Sequence, residues 1–138
     1  MIKVMTSRFG EIEVNKADVI TLPDGLIGFP ECKNYVLLDQ HKDGVFKFMQ
    51  SLDDGAIAFT VMDPTQICPE YKASVQSSDD CELIALVTMP NNPNNATVNL
   101  KAPLVIDIAT RTGKQVIISG DKYHTRHNIL ELTRSRHN

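Results

Sequence analysis

The apolar residues of this chain fall into period-two alternation or short solid runs, and proline, glycine, asparagine and aspartate break those runs at close spacing. Alternation at period two sends successive side chains to opposite faces of an extended backbone, so the pattern predicts strands. Residues 2–9 alternate up to Gly10, and Phe9-Gly10-Glu11-Ile12-Glu13-Val14 reads as a turn into a second strand. Residues 19–22 are rich in β-branched side chains and stop at Pro23. Residues 35–38 form a solid run of the buried-strand type, and residues 45–49 alternate around Lys47. Residues 57–62 follow the turn Asp53-Asp54-Gly55 and end at Asp63-Pro64. Residues 83–89 are apolar on both faces, which predicts a central or sandwiched strand. Residues 97–100, 104–108 and 115–118 complete the set, the last two joined by a hairpin turn at Thr110-Arg111-Thr112-Gly113. The stretch 90–95, Pro-Asn-Asn-Pro-Asn-Asn, excludes a regular element.

About nine or ten short strands with turn chemistry between them point to a barrel or sandwich, not to βαβ units. Helical signal is confined to one place. Asn128 is a good N-cap, Glu131 stands at the third helical position, and Ile129 and Leu132 share a side. The basic C-terminal tail, 125–138, thus carries a short helix, and residues 65–80, where a helical turn is the alternative, read as loop. The expected fold is mainly β: an antiparallel β-barrel-like domain spanning residues 1–138, with little helix. A chain of 138 residues has the usual size of one domain and buries about two thirds of its unfolded surface. Such a core needs neither metal nor disulfide.

The three cysteines, Cys32, Cys68 and Cys81, are far apart and odd in number, which argues against a disulfide framework and for a reducing compartment. The N-terminus has no uninterrupted apolar run of the secretory type, and no stretch approaches the roughly 18 apolar residues of a membrane span. The expectation is a cytoplasmic protein without a membrane partner. Its net charge of −3 is unevenly spread. Residues 1–54 carry nine acids against six bases, residues 55–100 five against one, and residues 101–138 three against seven. An acidic body repels nucleic acid and favours basic partners. The alternative is a β-barrel that binds RNA through its basic C-terminal third, with Lys101, Arg111, Lys114, Lys122, Arg126, Arg134 and Arg136 as the phosphate contacts.

Candidate chemistry is sparse. His124 and His127 lie three apart, and with His137 and Cys81 they are the nearest approach to a metal set, yet neither Cys-x-x-Cys nor His-Glu-x-x-His occurs. They read as surface histidines on a basic tail. The adjacent pairs Asp53/Asp54 and Asp79/Asp80 are turn and loop residues, not carboxylate dyads. Glu11 and Glu13 share an exposed strand face opposite Ile12 and Val14. Ser51, Ser74, Ser77, Ser78 and Ser119 have no base or orienting group in sequence, and Gly-x-Ser-x-Gly is absent. The two glycines of Pro23-Asp24-Gly25-Leu26-Ile27-Gly28-Phe29 are not followed by the Lys-Ser/Thr of a phosphate-binding loop. No basic, aromatic-rich strand set of the base-stacking kind is present. The expectation is a binding protein without cofactor or enzymatic activity. Leu26, Ile27 and Phe29 do stand out as large apolar residues among turn formers. They either plug one end of the barrel or form an exposed anchor.

The chain resembles the FliW family over nearly its whole length. The resemblance rests on Phe9-Gly10-Glu11-Ile12-Glu13-Val14, Ile20-Thr21-Leu22-Pro23-Asp24-Gly25-Leu26-Ile27-Gly28-Phe29, Tyr35-Val36-Leu37-Leu38 and Met49-Gln50-Ser51-Leu52. It continues through Ala58-Phe59-Thr60-Val61-Met62-Asp63-Pro64, Leu86-Val87-Thr88-Met89-Pro90 and Thr97-Val98-Asn99-Leu100-Lys101-Ala102-Pro103-Leu104-Val105-Ile106. Gly113-Lys114-Gln115-Val116-Ile117 and Tyr123-His124-Thr125-Arg126-His127 close it. Residues 71–82 look shorter than the family's acidic insert, and the tail after His127 longer and more basic. The resemblance implies a mainly-β, barrel-like fold and two protein partners. One is flagellin, held before export; the other is CsrA, a dimeric RNA-binding translational regulator. It implies that the protein antagonises CsrA without occupying its RNA site, that flagellin competes, and that flagellin translation is thereby coupled to secretion. Direct nucleic-acid binding is not expected on this reading. The contact residues expected from the apolar loop and the acidic surface are Glu11, Asp24, Leu26, Ile27, Phe29, Glu31 and Glu70.

Overall fold

The computed structural model describes residues 1–39, 44–75 and 80–137, with side chains through Arg134. Its strands are β1 (Ile2–Thr6), β2 (Gly10–Val14), β3 (Ile20–Thr21), β4 (Asn34–Asp39), β5 (Phe46–Ser51), β6 (Ala58–Met62), β7 (Cys81–Thr88), β8 (Thr97–Val98), β9 (Leu104–Asp107), β10 (Gly113–Gln115) and β11 (His127–Asn128). The helices are α1 (Tyr71–Ser74) and α2 (Ile129–His137). Every strand pairing is antiparallel. The main sheet runs β10-β9-β7-β6-β5-β4-β3, with β8 and β11 attached beside β7. Its two ends meet at one parallel bridge between Thr21 and Thr112, where the Thr21 N–H donates to the Arg111 carbonyl at 2.9 Å. The sheet therefore curls onto itself without closing as a continuous ladder, which makes it barrel-like.

Side-chain alternation sorts the sheet into two packed layers. Tyr35, Met49, Val61, Ile84, Leu104 and Ile106 face inward and form the interior with Ile20, Leu22, Leu26 and Cys32. Met62, Leu83, Ala85 and Val98 face outward, under Ile67, Cys68, Tyr71 and Val75 on one side and Tyr123, Ile129 and Leu132 on the other. Strand β7 belongs to both layers, Ile84 and Leu86 inside and Leu83, Ala85 and Val87 outside. Its unbroken apolar run is the sequence signature of that position. Hairpin β1–β2 forms a sheet of its own. It lies against β5, where Phe9 meets Phe48 edge-on at 5.3 Å and the Arg8 guanidinium sits 4.6 Å over the same ring.

Several elements differ from the sequence expectation in extent. Strand β10 ends at Gln115, yet the N–H groups of Val116 and Ile118 still donate to the Pro103 and Lys101 carbonyls at 3.0 and 2.9 Å, so the expected strand 115–118 continues as isolated ladder bonds. The stretch 65–80, expected as loop, holds a 3-10 turn at Pro64–Gln66 and the single turn of α1, with 76–79 outside the described residues. Asp63 Oδ1 starts the 3-10 turn by accepting from the Thr65 N–H at 2.9 Å. Helix α2 begins as expected, with Asn128 Oδ1 accepting from the Glu131 N–H at 2.9 Å. The two residues before it pair with β8 as β11, a strand too short to leave a periodicity.

Candidate functional site

The segment after β3 turns twice within eight residues. Gly25 N–H donates to the Leu22 carbonyl at 2.8 Å, closing a first turn over Pro23 and Asp24. Gly25 has φ +66°, and a Cβ there would lie 2.6 Å from the Phe29 carbonyl oxygen and 2.7 Å from the Pro30 backbone. Leu26 and Phe29 then exchange backbone hydrogen bonds of 3.2 and 2.8 Å, closing a second turn over Ile27 and Gly28. Gly28, at φ +91°, supplies the positive φ that a type II turn requires at its third position.

This geometry divides the three apolar residues. Leu26 points into the barrel, is 2% exposed and plugs that end. Ile27 stands out at 65% exposure. Its N–H is held by Gln115 Oε1 at 2.8 Å, and Gln115 Nε2 donates in turn to the Ala102 carbonyl at 3.0 Å. Phe29 is 38% exposed and leans edge-on against Phe59 at 5.1 Å. The loop thus plugs the barrel with one side chain and presents two others.

Carboxylates occur on the loop and on the β5–β6 turn bonded to its end, with Arg8 lining a pocket beside that turn. Asp24 and Glu31 are exposed on the loop itself. Asp53, in the β5–β6 turn, accepts from the Lys33 and Asn34 N–H groups at 2.7 and 2.8 Å and so staples that turn to the end of the loop. Burial acts to raise the Asp53 pKa. The Asn34 and Lys33 hydrogen bonds and the Lys33 charge outweigh it and hold the carboxyl below its ordinary value. Asp54 is exposed beside it and caps the same turn, accepting from the Ala56 N–H at 3.0 Å. Glu11 is exposed on β2 opposite Met5, whose carbonyl abuts Gly55 of the β5–β6 turn. Glu70 stands apart. It precedes α1 on the layer covering the outer face of the sheet, where its Oε1 accepts from Cys68 Sγ at 3.3 Å. Five of the seven expected contact residues, Asp24, Leu26, Ile27, Phe29 and Glu31, therefore lie on this one loop, whereas Glu11 sits on the β1–β2 hairpin and Glu70 on the covering layer. Asp53, Asp54, Phe59 and Gln115 join the five. Asp53 and Asp54 were legible only as a turn, and nothing local marks Phe59 or Gln115.

The other candidate groups are occupied or dispersed. The rings of His124 and His127 stack at 3.6 Å, His127 Nε2 accepts from the His124 N–H at 2.9 Å, and His124 Nδ1 accepts from the Arg126 N–H at 3.3 Å. Burial and the neighbouring His124 both lower the His127 pKa. The His137 and Arg136 side chains, Ser77, Ser78 and Asp79 lie outside the described residues. Among those described, no three His, Cys, Asp or Glu gather as metal ligands. In the basic C-terminal third, Lys101 Nζ donates to the Gly120 carbonyl at 2.6 Å, Lys122 lies over the Tyr123 ring, and Arg111 pairs with Glu82 at 3.8 Å. Among the described residues no helix is long and apolar enough to cross a membrane.

Comparison with known proteins gives a consistent result. The family profile described as FliW protein matches residues 3–129. The flagellar assembly factor FliW of Alkaliphilus metalliredigens is 35% identical, over 93% of this chain and 86% of that protein. The flagellar assembly factor FliW of Geobacter sulfurreducens is 38% identical, over 93% of this chain and 86% of its own length. A crystal structure of the flagellar assembly factor FliW superposes with a TM-score of 0.79 at 30% identity, covering 93% of this chain and 96% of that one. A profile match across almost all of the sequence, relatives aligned over most of their length and a shared barrel-like fold leave one assignment: this chain belongs to the FliW family.

Proposed function

We propose that this chain is a flagellar assembly factor that works in the cytoplasm by binding proteins, as a single domain and without catalysis. On this reading it holds flagellin before export and antagonises CsrA. Free flagellin occupies it, releases CsrA and shuts flagellin translation down; secretion drains flagellin and reverses the exchange. An acidic body beside a basic RNA-binding protein lowers the potential that attracts phosphate, so RNA is disfavoured without steric overlap. Such a coupling is typically about 1–3 kcal/mol. The contact residues proposed are Glu11, Asp24, Leu26, Ile27, Phe29, Glu31 and Glu70, with Leu26 acting by fixing the loop.

The observation that supports this reading best is the end of the barrel where Ile27 and Phe29 are presented among carboxylates. The names of the relatives support a role in flagellar assembly. The test is a pull-down from the native cell with the tagged chain, followed by mass spectrometry. Recovery of flagellin and CsrA is the expected result, and recovery of neither overturns the proposal.

A further inference from the structure

Residues 123–129 tie the end of the chain to the outer face of the sheet. Tyr123 is buried and meets Tyr71 edge-on at 4.8 Å. The His124 carbonyl accepts from the Leu100 N–H at 3.1 Å. Farther on, His127 and Asn128 pair with Val98 and Thr97, Asn128 caps α2, and the Ile129 N–H donates to the Ala96 carbonyl at 3.1 Å. The turn between these attachments is closed by its own imidazoles. His127 Nε2 accepts from the His124 N–H, and His124 Nδ1 accepts from the Arg126 N–H. An accepting ring nitrogen keeps its lone pair, so His127 carries its proton on Nδ1 and His124 on Nε2, and both rings are neutral while the bonds are made. Protonation of His127 makes Nε2 a donor that faces another donor. The ring stacked on it at 3.6 Å, His124, is itself a base, so a charge on each would repel.

Among the described residues, Arg126 and Glu131 line the pocket beside both rings, and Lys122 lies over the Tyr123 ring, which is 6.1 Å from the His127 ring. Cys68, bonded to Glu70, is on the hydroxyl side of Tyr123. Strand β8 and the 3-10 turn Pro93–Asn95 bring Thr97, Val98 and Asn94, none of which titrates. Burial of His127 and the neighbouring His124 both act against the charged form of His127. Beyond the turn, β11 has two residues and α2 nine, lengths that do not hold a conformation alone.

We infer that this turn is an acid-released latch: a proton taken up by His127 opens it and frees β11 and α2 from the outer face while the sheet stays folded. Ile129 and Leu132 come away and bare the part of the outer layer they cover. Ile67, Cys68, Tyr71 and Val75 belong to another segment and stay in place. This is the opening of a terminal element, the kind that costs least in a folded chain.

The test uses the full chain, isotope-labelled, between about pH 7.5 and 5. Imidazole nitrogen spectra read the tautomer, and amide hydrogen exchange, corrected for its intrinsic pH dependence, reads the latch. The expected result is an Nδ1–H tautomer at His127 at the upper pH. Protection of the Ile129 and Glu131 amides then falls by about five-fold or more as pH drops below about 6.5, while amides of β5 and β6 stay within about two-fold. His127→Gln, whose Oε1 accepts without titrating, is expected to leave the Ile129 and Glu131 amides indifferent to pH. If that variant fails to fold, the comparison of α2 with β5 and β6 in the wild type decides alone. An Nε2–H tautomer, a fall shared equally by β5 and β6, no fall at all, or the same fall in folded His127→Gln overturns the inference.

Discussion

Two glycines three residues apart in one loop provide a test of the geometry that fixes the loop end of the barrel. Both have positive φ, so alanine at either costs about 1–2 kcal/mol of backbone strain. They differ in the space around them. At Gly28 a Cβ meets nothing within 4 Å, whereas at Gly25 it lies 2.6 Å from the Phe29 oxygen and 2.7 Å from Pro30 backbone atoms. Those atoms belong to the main chain of the second turn and cannot swing aside as a flexible side chain does. Overpacking of this kind adds about 1–3 kcal/mol. Gly25→Ala is thus expected to cost about 2–5 kcal/mol in total, and Gly28→Ala only the backbone term of about 1–2 kcal/mol. For a chain of this size, a difference of about 2 kcal/mol between the two is a difference in melting temperature of roughly 6–10 °C. Urea unfolding followed by circular dichroism measures both free energies on the same scale. If Gly25→Ala proved no more destabilising than Gly28→Ala, the close approach of the two turns would be wrong, and with it the rigid presentation of Ile27.

Two of the three buried tyrosines, Tyr71 and Tyr35, predict opposite outcomes for the same substitution. The Tyr71 hydroxyl donates to the Leu100 carbonyl, so Tyr71→Phe is expected to cost about 1 kcal/mol in urea unfolding. The Tyr35 hydroxyl is buried without a hydrogen-bond partner among the described residues, and burial is the largest of the causes that push its pKa up to about 12, so Tyr35→Phe is expected to leave stability unchanged or raise it. The third prediction concerns pH. His127 has a lowered pKa in the folded state, so its contribution is intact above the ordinary histidine value and is lost as pH falls below about 6.5 and through the folded pKa. Protonation also removes the acceptor that the His124 N–H uses. Thermal melts between pH 7.5 and 5 should fall more steeply for the wild type than for His127→Gln.

Strands were legible wherever one face met the interior and the other met water or a second layer. Residues 83–89 revealed most, because an apolar run on both faces leaves a sandwiched strand as its simplest explanation, and β7 is that strand. The Asn128 cap was legible because capping is local chemistry. Hairpin β1–β2 alternates like any strand pair, so nothing in its pattern separated it from the main sheet; only its packing on Phe48 does. The loop was visible as an anomaly, three large apolar residues among turn formers. Its division into a buried Leu26 and a presented Ile27 was not, because that depends on Gln115, 88 residues away. Asp53 was equally opaque, since its partners Lys33 and Asn34 come from a distant part of the chain.

Strand β7 lends alternate side chains to both packed layers, and this ties their fates together. Loosening Leu83 or Ala85 on one side shifts the same backbone that carries Ile84 and Leu86 on the other. Neither layer can melt while its neighbour stays intact, so the interior and the covering layer are expected to denature in one cooperative step.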